Sequence, residues 1–357
     1  MLLWLAACAG SGSVVESTTD GLRHRRSEHA ASGSGRVVVA VPVEEGEHSM
    51  LLTAQVDGAS TVHVRTVQDP SGTVVLDSTL WEASTRSRSS ALSPSGLVTL
   101  NWPLAPADAP LVPGRWDVLL GRIEGTAYGP GPVSVDVHLA ADPDFDAGAL
   151  EVVLVYTGGL GADAALRDAM RGATERWAVL LDAVGIAVTF TPLEWGQRAP
   201  TALPGDDDSY LPIADAVGTR ALAVVLVDAL PGTAMGVSGG VPGPLVGTAH
   251  SAVAVSVQAA AGPDGVIDPA EEALLAETLA HESGHYLGLF HPVEASFAAW
   301  DALRDTPGCA GQADCELSLG HNLMFPYPVC DDQTGCLPQE ALTADQAGVL
   351  HRNTAVR

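Results

Sequence analysis

The sequence has no lysine. All 17 of its basic residues are arginine, and against 43 Asp and Glu they leave the 357-residue chain with a formal charge of −26. A surface that acidic repels nucleic-acid phosphates, which excludes DNA and RNA as broad-contact partners. The excess charge reads as solvated surface rather than as an acidic tail with a task of its own. Apolar runs long enough to span a bilayer are also missing, since the best candidates, residues 152–156 and 221–227, have the length of strands. Apolar residues still make up 46% of the chain, enough at this length to bury a core in each of two domains.

The first eight residues, Met1-Leu2-Leu3-Trp4-Leu5-Ala6-Ala7-Cys8, form a short apolar stretch that ends in Leu5-Ala6-Ala7-Cys8. This resembles the lipobox of bacterial lipoproteins, although a basic segment ahead of the apolar one is missing. The resemblance implies a signal segment over residues 1–8, lipid attachment at Cys8, and an exported protein that is either a cell-surface or outer-membrane lipoprotein or secreted. Membrane contact is then expected only through that anchor. The four remaining cysteines, Cys309, Cys315, Cys330 and Cys336, are spaced too widely for a zinc ribbon. Two disulfides are expected, which agrees with export, and the spacing leaves three pairings open. Between Cys8 and Cys309 there is no cysteine to act as a latency switch.

Residues 9–35 are rich in Ser, Gly, Thr and charge and include Arg23-His24-Arg25-Arg26. They read as a flexible tether. Over residues 36–141 the pattern becomes short β-type runs (37–43, 51–56, 62–67, 74–76, 97–102, 116–120 and 133–139) separated by turn signals such as Asp57-Gly58 and Pro113-Gly114. Regular strands of this kind predict an all-β sandwich. The region has no cysteine and no cluster of His with carboxylates, so it is assigned no chemistry, and its partner stays open. From residue 148 to 357 strand-like runs alternate with helical spacing, notably over 162–184, which predicts α/β organisation.

The chemistry is concentrated in one segment of that second part. Asp268 is a good N-cap, Pro269 suits the first helical position, and Glu271 and Glu272 place negative charge at the positive end of the dipole. The predicted helix runs to Leu287, where Gly288 lets the chain leave through a positive φ. His281 and His285 fall one turn apart on one face, so both can reach one metal ion. Glu282, displaced by one residue, can reach a water on that ion rather than the ion itself. The turn at Gly288 returns the chain so that His291 supplies a third nitrogen. Three imidazoles leave one corner of a tetrahedral zinc open, which catalysis requires.

His281-Glu282-x-x-His285-x-x-Gly288-x-x-His291 resembles the metzincin zinc motif. Asn322-Leu323-Met324, with Met324 thirty-three residues after His291, resembles the methionine turn of the same clan. The run from His281 to His291, followed by Asp305-Thr306-Pro307, is similar to the pappalysin-type (M43) peptidases. The resemblance spans residues 148–357. It implies a twisted mixed sheet with helices above a cleft, an irregular disulfide-tied part below, and an edge strand near residues 236–250 that pairs with an extended substrate. It also implies one catalytic Zn2+, a hydrophobic floor at Met324, and calcium in many members, to which Asp301, Asp305 and Asp314 are candidate donors. Relatives often carry an oxyanion-supporting tyrosine two residues after the methionine. Here that position is Pro326 and the tyrosine is Tyr327, so oxyanion support from Tyr327 is an open expectation.

The activity expected is that of a zinc endopeptidase acting on protein or peptide, with Glu282 as general base. Two alternatives stand beside it: a zinc amidase acting on cell wall, and a noncatalytic surface adhesin carrying a relic peptidase domain. An intact Glu282 beside three ligands argues against the relic, which has no use for a base.

Overall fold

The structure is a computed structural model, and it describes residues 14–19, 21–58, 60–78, 86–87, 96–141, 145–232, 234–331 and 335–357. The expected signal segment 1–8, with Cys8, lies outside them.

The first part is built from β1 (Val15–Thr19), β2 (Leu22–Ala31), β3 (Arg36–Val43), β4 (Ser49–Gln55), β5 (Ser60–Gln68), β6 (Val74–Asp77), β7 (Arg86–Ser87), β8 (Leu97–Trp102), β9 (Gly114–Glu124), β10 (Ala127–Tyr128) and β11 (Gly131–Ala140). One sheet has the order β1-β2-β11-β4-β8; a second has β10-β9-β5-β6 with β3 also on β9, and every pairing within these two sheets is antiparallel. Alternate residues of both sheets, among them Leu52, Leu100, Trp102, Trp116, Leu120 and Val135, meet in a single apolar core. Period-2 alternation puts them on one face of each strand.

The tether expected over 9–35 is corrected. Residues 15–31 are strands of the first sheet, and β2 pairs with β11 along its whole length. The basic cluster looks like a solvated linker only in one dimension. Arg23 donates to Glu47, to Glu16 and to the Pro42 carbonyl, and His24 Nε2 lies 2.7 Å from Asp136 Oδ1. Its partners come from up to 112 residues away in the chain.

The outer face of the first sheet is buried as well. Leu51, Thr53, Thr99, Asn101 and His138 have 5% exposure or less. Leu22, Leu51 and Ala140 pack into the core of the second part. Asn101 carries the polar half of this contact: its amide donates to the Arg352 carbonyl at 2.7 Å, and its oxygen accepts from the Thr354 backbone N–H at 3.0 Å. Thr99 donates to the Pro242 carbonyl.

The second part is α/β. Strands β12 (Gly148–Thr157), β13 (Ile186–Trp195), β14 (Leu222–Val227), β15 (Gly236–Ser238) and β16 (Val253–Ser256) form a sheet of order β13-β12-β14-β16-β15. The first four in that order run parallel, and β15 closes the edge antiparallel to β16. Helix α1 (Ala164–Asp182) is capped by the Asp163 side chain and buries Leu166, Met170, Ala173, Trp177 and Leu181 at 3.6-residue spacing. The helices α2 (Leu211–Val217) and α3 (Val257–Ala260) are short. Next comes α4 (Pro269–Tyr286), the site helix.

Beyond the site helix regular structure thins to β17 (Trp300–Asp301), which pairs with β7, α5 (Gln312–Leu319), the small ladder β18 (Cys330–Asp331) with β19 (Gly335–Cys336), and α6 (Ala344–Arg352). The open disulfide question resolves to Cys309–Cys315 and Cys330–Cys336. Among the described residues no helix is long and apolar enough to cross a membrane.

Replacing Asn101 by Ala strands the Arg352 carbonyl and the Thr354 N–H in a buried seam. The expected cost is about 1–3 kcal/mol, read as a lower urea midpoint for the whole chain. An unchanged midpoint would show that the two parts do not meet this way in solution.

Candidate metal centre

The site helix starts where its capping residues place it. Asp268 Oδ1 accepts from the N–H groups of Ala270 and Glu271 at 2.7 and 2.9 Å, and Glu271 Oε2 reaches back to the Asp268 N–H at 2.9 Å. This reciprocal capping box satisfies donors that the first turn otherwise leaves open. The helix ends at Tyr286 and the chain turns at Gly288, whose φ of +105° disfavours any residue with a Cβ. His281, His285 and His291 converge so that their ligand atoms all lie within 4.8 Å of one another.

Each ring is held from behind. His281 Nδ1 lies 2.7 Å from the Leu323 carbonyl, His285 Nδ1 2.7 Å from the Leu289 carbonyl, and His291 Nδ1 2.9 Å from Glu294 Oε2. A carbonyl or carboxylate oxygen can only accept, so each Nδ1 carries the proton and each Nε2 presents a lone pair. Two of those nitrogens, on His285 and His291, stand 3.0 Å apart. Lone pairs that close repel unless a cation lies among them, so the donor set fits a bound metal. Three neutral imidazoles with backbone and carboxylate partners on their far nitrogens suit zinc. Burial, with help from the neighbouring rings, pushes His281 down to about 4 and His285 well below the ordinary histidine value, which keeps both uncharged at neutral pH.

Glu282 faces the sheet edge. A Cβ at Gly236 would sit 2.6 Å from Glu282 Cγ, so the strand can lie against this side chain only because it carries glycine there. Burial pushes the Glu282 carboxyl up to about 7, against the opposing pull of a hydrogen bond from the Ser238 backbone. On the other side of the helix Met324 is fully buried, and its sulfur would be 2.6 Å from a Cβ at Gly284, between the two helical histidines. The turn that holds Met324 is braced by Asn322, whose oxygen accepts from the Met324 N–H and whose amide donates to buried Gln346.

A cleft of about 440 Å3 opens beside this centre, with His281 and Glu282 in its lining together with Gly236 of β15 and the segment Phe325–Pro328. Tyr327 lines the cleft too, but its hydroxyl donates to Glu316 Oε1 at 2.9 Å. That hydroxyl is turned toward α5, and oxyanion support from it stays an expectation of the sequence. Edge-on packing against Phe325 and Phe297 holds the ring, and the hydroxyl is spent on α5.

The acids considered for calcium do not come together either. Asp301 accepts from the Leu303 N–H and the Thr306 hydroxyl, Asp305 from the Asp345 N–H, and Asp314 from the Ala310 N–H. Among the described residues the three histidines are the one group of three or more candidate ligands that gathers at a point. Glu294 and Gln346 escaped the sequence reading, as did the close packing at Gly236 and Gly284. Only Glu294, three residues after His291, left a local signal there.

No family model and no curated protein matches the chain. Among solved structures it is similar to metalloproteinase-II from Bacteroides fragilis, at 16% identity and a TM-score of 0.33, over 61% of this chain and 62% of that one. A likeness that slight assigns no fold. The chain spans less than two thirds of that protein, and the geometry above stands by itself.

Two outcomes are expected. Glu294→Ala should weaken zinc binding roughly 10- to 100-fold in a chelator competition titration, with Glu294→Gln milder. Undiminished affinity would remove Glu294 from the support of His291. In the metal-free protein the raised Glu282 pKa means that the folded state holds a proton which the unfolded state releases above about 4.5. That contribution is complete at pH below 4.5 and is lost as pH rises through about 7. Glu282→Gln should therefore be more stable than the parent above pH 7, by roughly 1–3 kcal/mol, with the advantage fading toward pH 4.5 in urea titrations of both proteins.

Proposed function

We propose that the protein is a zinc-dependent endopeptidase of the metzincin type, related to the pappalysin-like peptidases. The observation that carries this is the convergence of three Nε2 atoms whose Nδ1 partners leave them no other use, with Glu282 beside them at the mouth of a cleft. His281, His285 and His291 would hold the ion. When bound, zinc polarises a carbonyl and makes water acidic enough to give up a proton near neutral pH.

The rest falls to the chain. Strand β15 is the sheet edge, and it offers its outer N–H and C=O groups to an extended peptide laid along the cleft. Glu282 Oε takes the proton of the attacking water and delivers it to the nitrogen of the departing amine. Gly236 keeps the strand close enough for the scissile bond and that carboxylate to share one space. Met324 supports the helix from below and contributes no ligand. The two disulfides are those of a protein made for an oxidising compartment, in support of export. Lipid attachment at Cys8 is part of the same proposal and rests on sequence alone.

Glu282→Gln should keep one zinc per chain and lose at least about 100-fold in the rate of casein hydrolysis. His285→Ala should lose the zinc. A Glu282→Gln protein that digests casein at the parental rate would refute the role given to this carboxylate.

A further inference from the structure

A buried carboxylate ties the site helix to another part of its own cleft. Glu277 stands one turn before His281 and lines the cleft with it. Its exposure is 7%. Burial raises its carboxyl above the usual carboxylate range, and the Gln339 backbone N–H, which donates to it, opposes that rise. Gln339 is buried too, and its side-chain amide donates to the Tyr327 carbonyl at 2.8 Å. Tyr327 belongs to Phe325–Pro328, which lines the same cleft. Two hydrogen bonds in series thus connect the site helix with that segment.

The strip that carries Gln339 is laced to the residues around the methionine turn. The Leu337 N–H donates to the Val329 carbonyl at 2.8 Å, the Ala341 N–H to the His321 carbonyl at 3.0 Å, and the Leu323 N–H to the Ala341 carbonyl at 2.8 Å. Strip and turn therefore shift as one piece. From α1, Arg176 also holds the strip, by donating to Glu340. Those two side chains are 40% and 43% exposed, so water competes for them and the pair contributes little. Arg176 Nη2 is 3.7 Å from Glu277 Oε1, beyond hydrogen-bond length. The Glu277 bond is buried and charge-assisted, and its loss leaves the Gln339 N–H without a partner. Of the two ties it is the one that decides where the strip lies.

We propose that Glu277 is a positioning residue: through Gln339 it fixes the segment Phe325–Pro328 at the distance from the site helix that a bound peptide requires. The assignment rests on the peptidase reading above. Its effect falls on substrate binding, since the proton is handled by Glu282. A glutamine in its place offers an amide oxygen to the same N–H, so the site needs the acceptor more than the charge.

The test is steady-state cleavage of an internally quenched peptide spanning a casein cut site, by the zinc-loaded full-length protein and its variants. Glu277→Ala should raise KM roughly 10-fold while kcat and zinc content stay within about 2-fold of the parent. Glu277→Gln should bring KM back to within about 3-fold of the parent. Gln339→Ala cuts the series at its second bond. It should raise KM as Glu277→Ala does, and the double variant should be little worse than either single one. Should Glu277→Ala not fold, Gln339→Ala decides alone. A purely structural role would lower the urea midpoint of these variants and leave the KM of the folded protein unchanged, which overturns the proposal. A loss confined to kcat, a KM that Glu277→Gln does not restore, or effects that add in the double variant overturn it as well. Each of these outcomes leaves the peptidase reading standing. A zinc-loaded parent that cleaves no casein overturns both.

Discussion

Three lone pairs pointed at one spot form an arrangement that a chain cannot hold by the histidines alone. The histidines occupy two segments, the site helix and the loop after Gly288, and each ring is oriented by an acceptor from elsewhere: Leu323, Leu289 or Glu294. Those acceptors need positions of their own. Leu323 is placed by the Asn322–Gln346 bracket, and Leu289 by the helix exit, whose N–H returns to the Gly284 carbonyl. The Asn353 amide donates to the Leu287 carbonyl and ties the same exit to the end of α6. The histidine site is thus the inner end of a hydrogen-bonded series that reaches the last residues of the chain. From there Asn101 carries it into the first sheet. Because buried polar groups must be paired, loosening any link leaves an orphan at the next.

The parts of this that could be read in advance are local ones. Asp268, Pro269 and Glu271 announce the start of the site helix, and Gly288 announces its end, because caps and positive-φ glycines act within a turn of where they stand. His291 becomes legible once Gly288 is. What escaped depends on distance along the chain. Residues 15–31 look like linker because their arginines find carboxylates and strand partners that no short window contains. Strand β13 runs on to Trp195, past Phe190, through Thr191, Pro192 and Glu194, which do not read as strand. It lies at a sheet edge, where one half-buried face is enough. The disulfide pairing could not be chosen by spacing alone. Tyr327 and the three acids near residue 305 are cases where residue type suggests one use and a neighbouring hydroxyl, carboxylate or backbone N–H supplies another.

Conformational economy also shows in the glycines around the site. Gly236, Gly243 and Gly284 have ordinary backbone angles, and what they provide is room: for Glu282, for the Tyr286 ring and for Met324 respectively. A side chain at any of them would push apart two elements whose separation sets the geometry of the site. Close packing of this kind makes the site helix a fixed wall of the cleft.

Among the described residues none of the first part lines the cleft, yet the outer face of its first sheet is sealed against the far side of the second part. A cut between the two would remove none of the described residues that line the cleft. It would instead hydrate the seam at Asn101 and free the tail that steadies the helix exit. Separation of the two parts would for that reason disturb the histidine site from behind rather than uncover it.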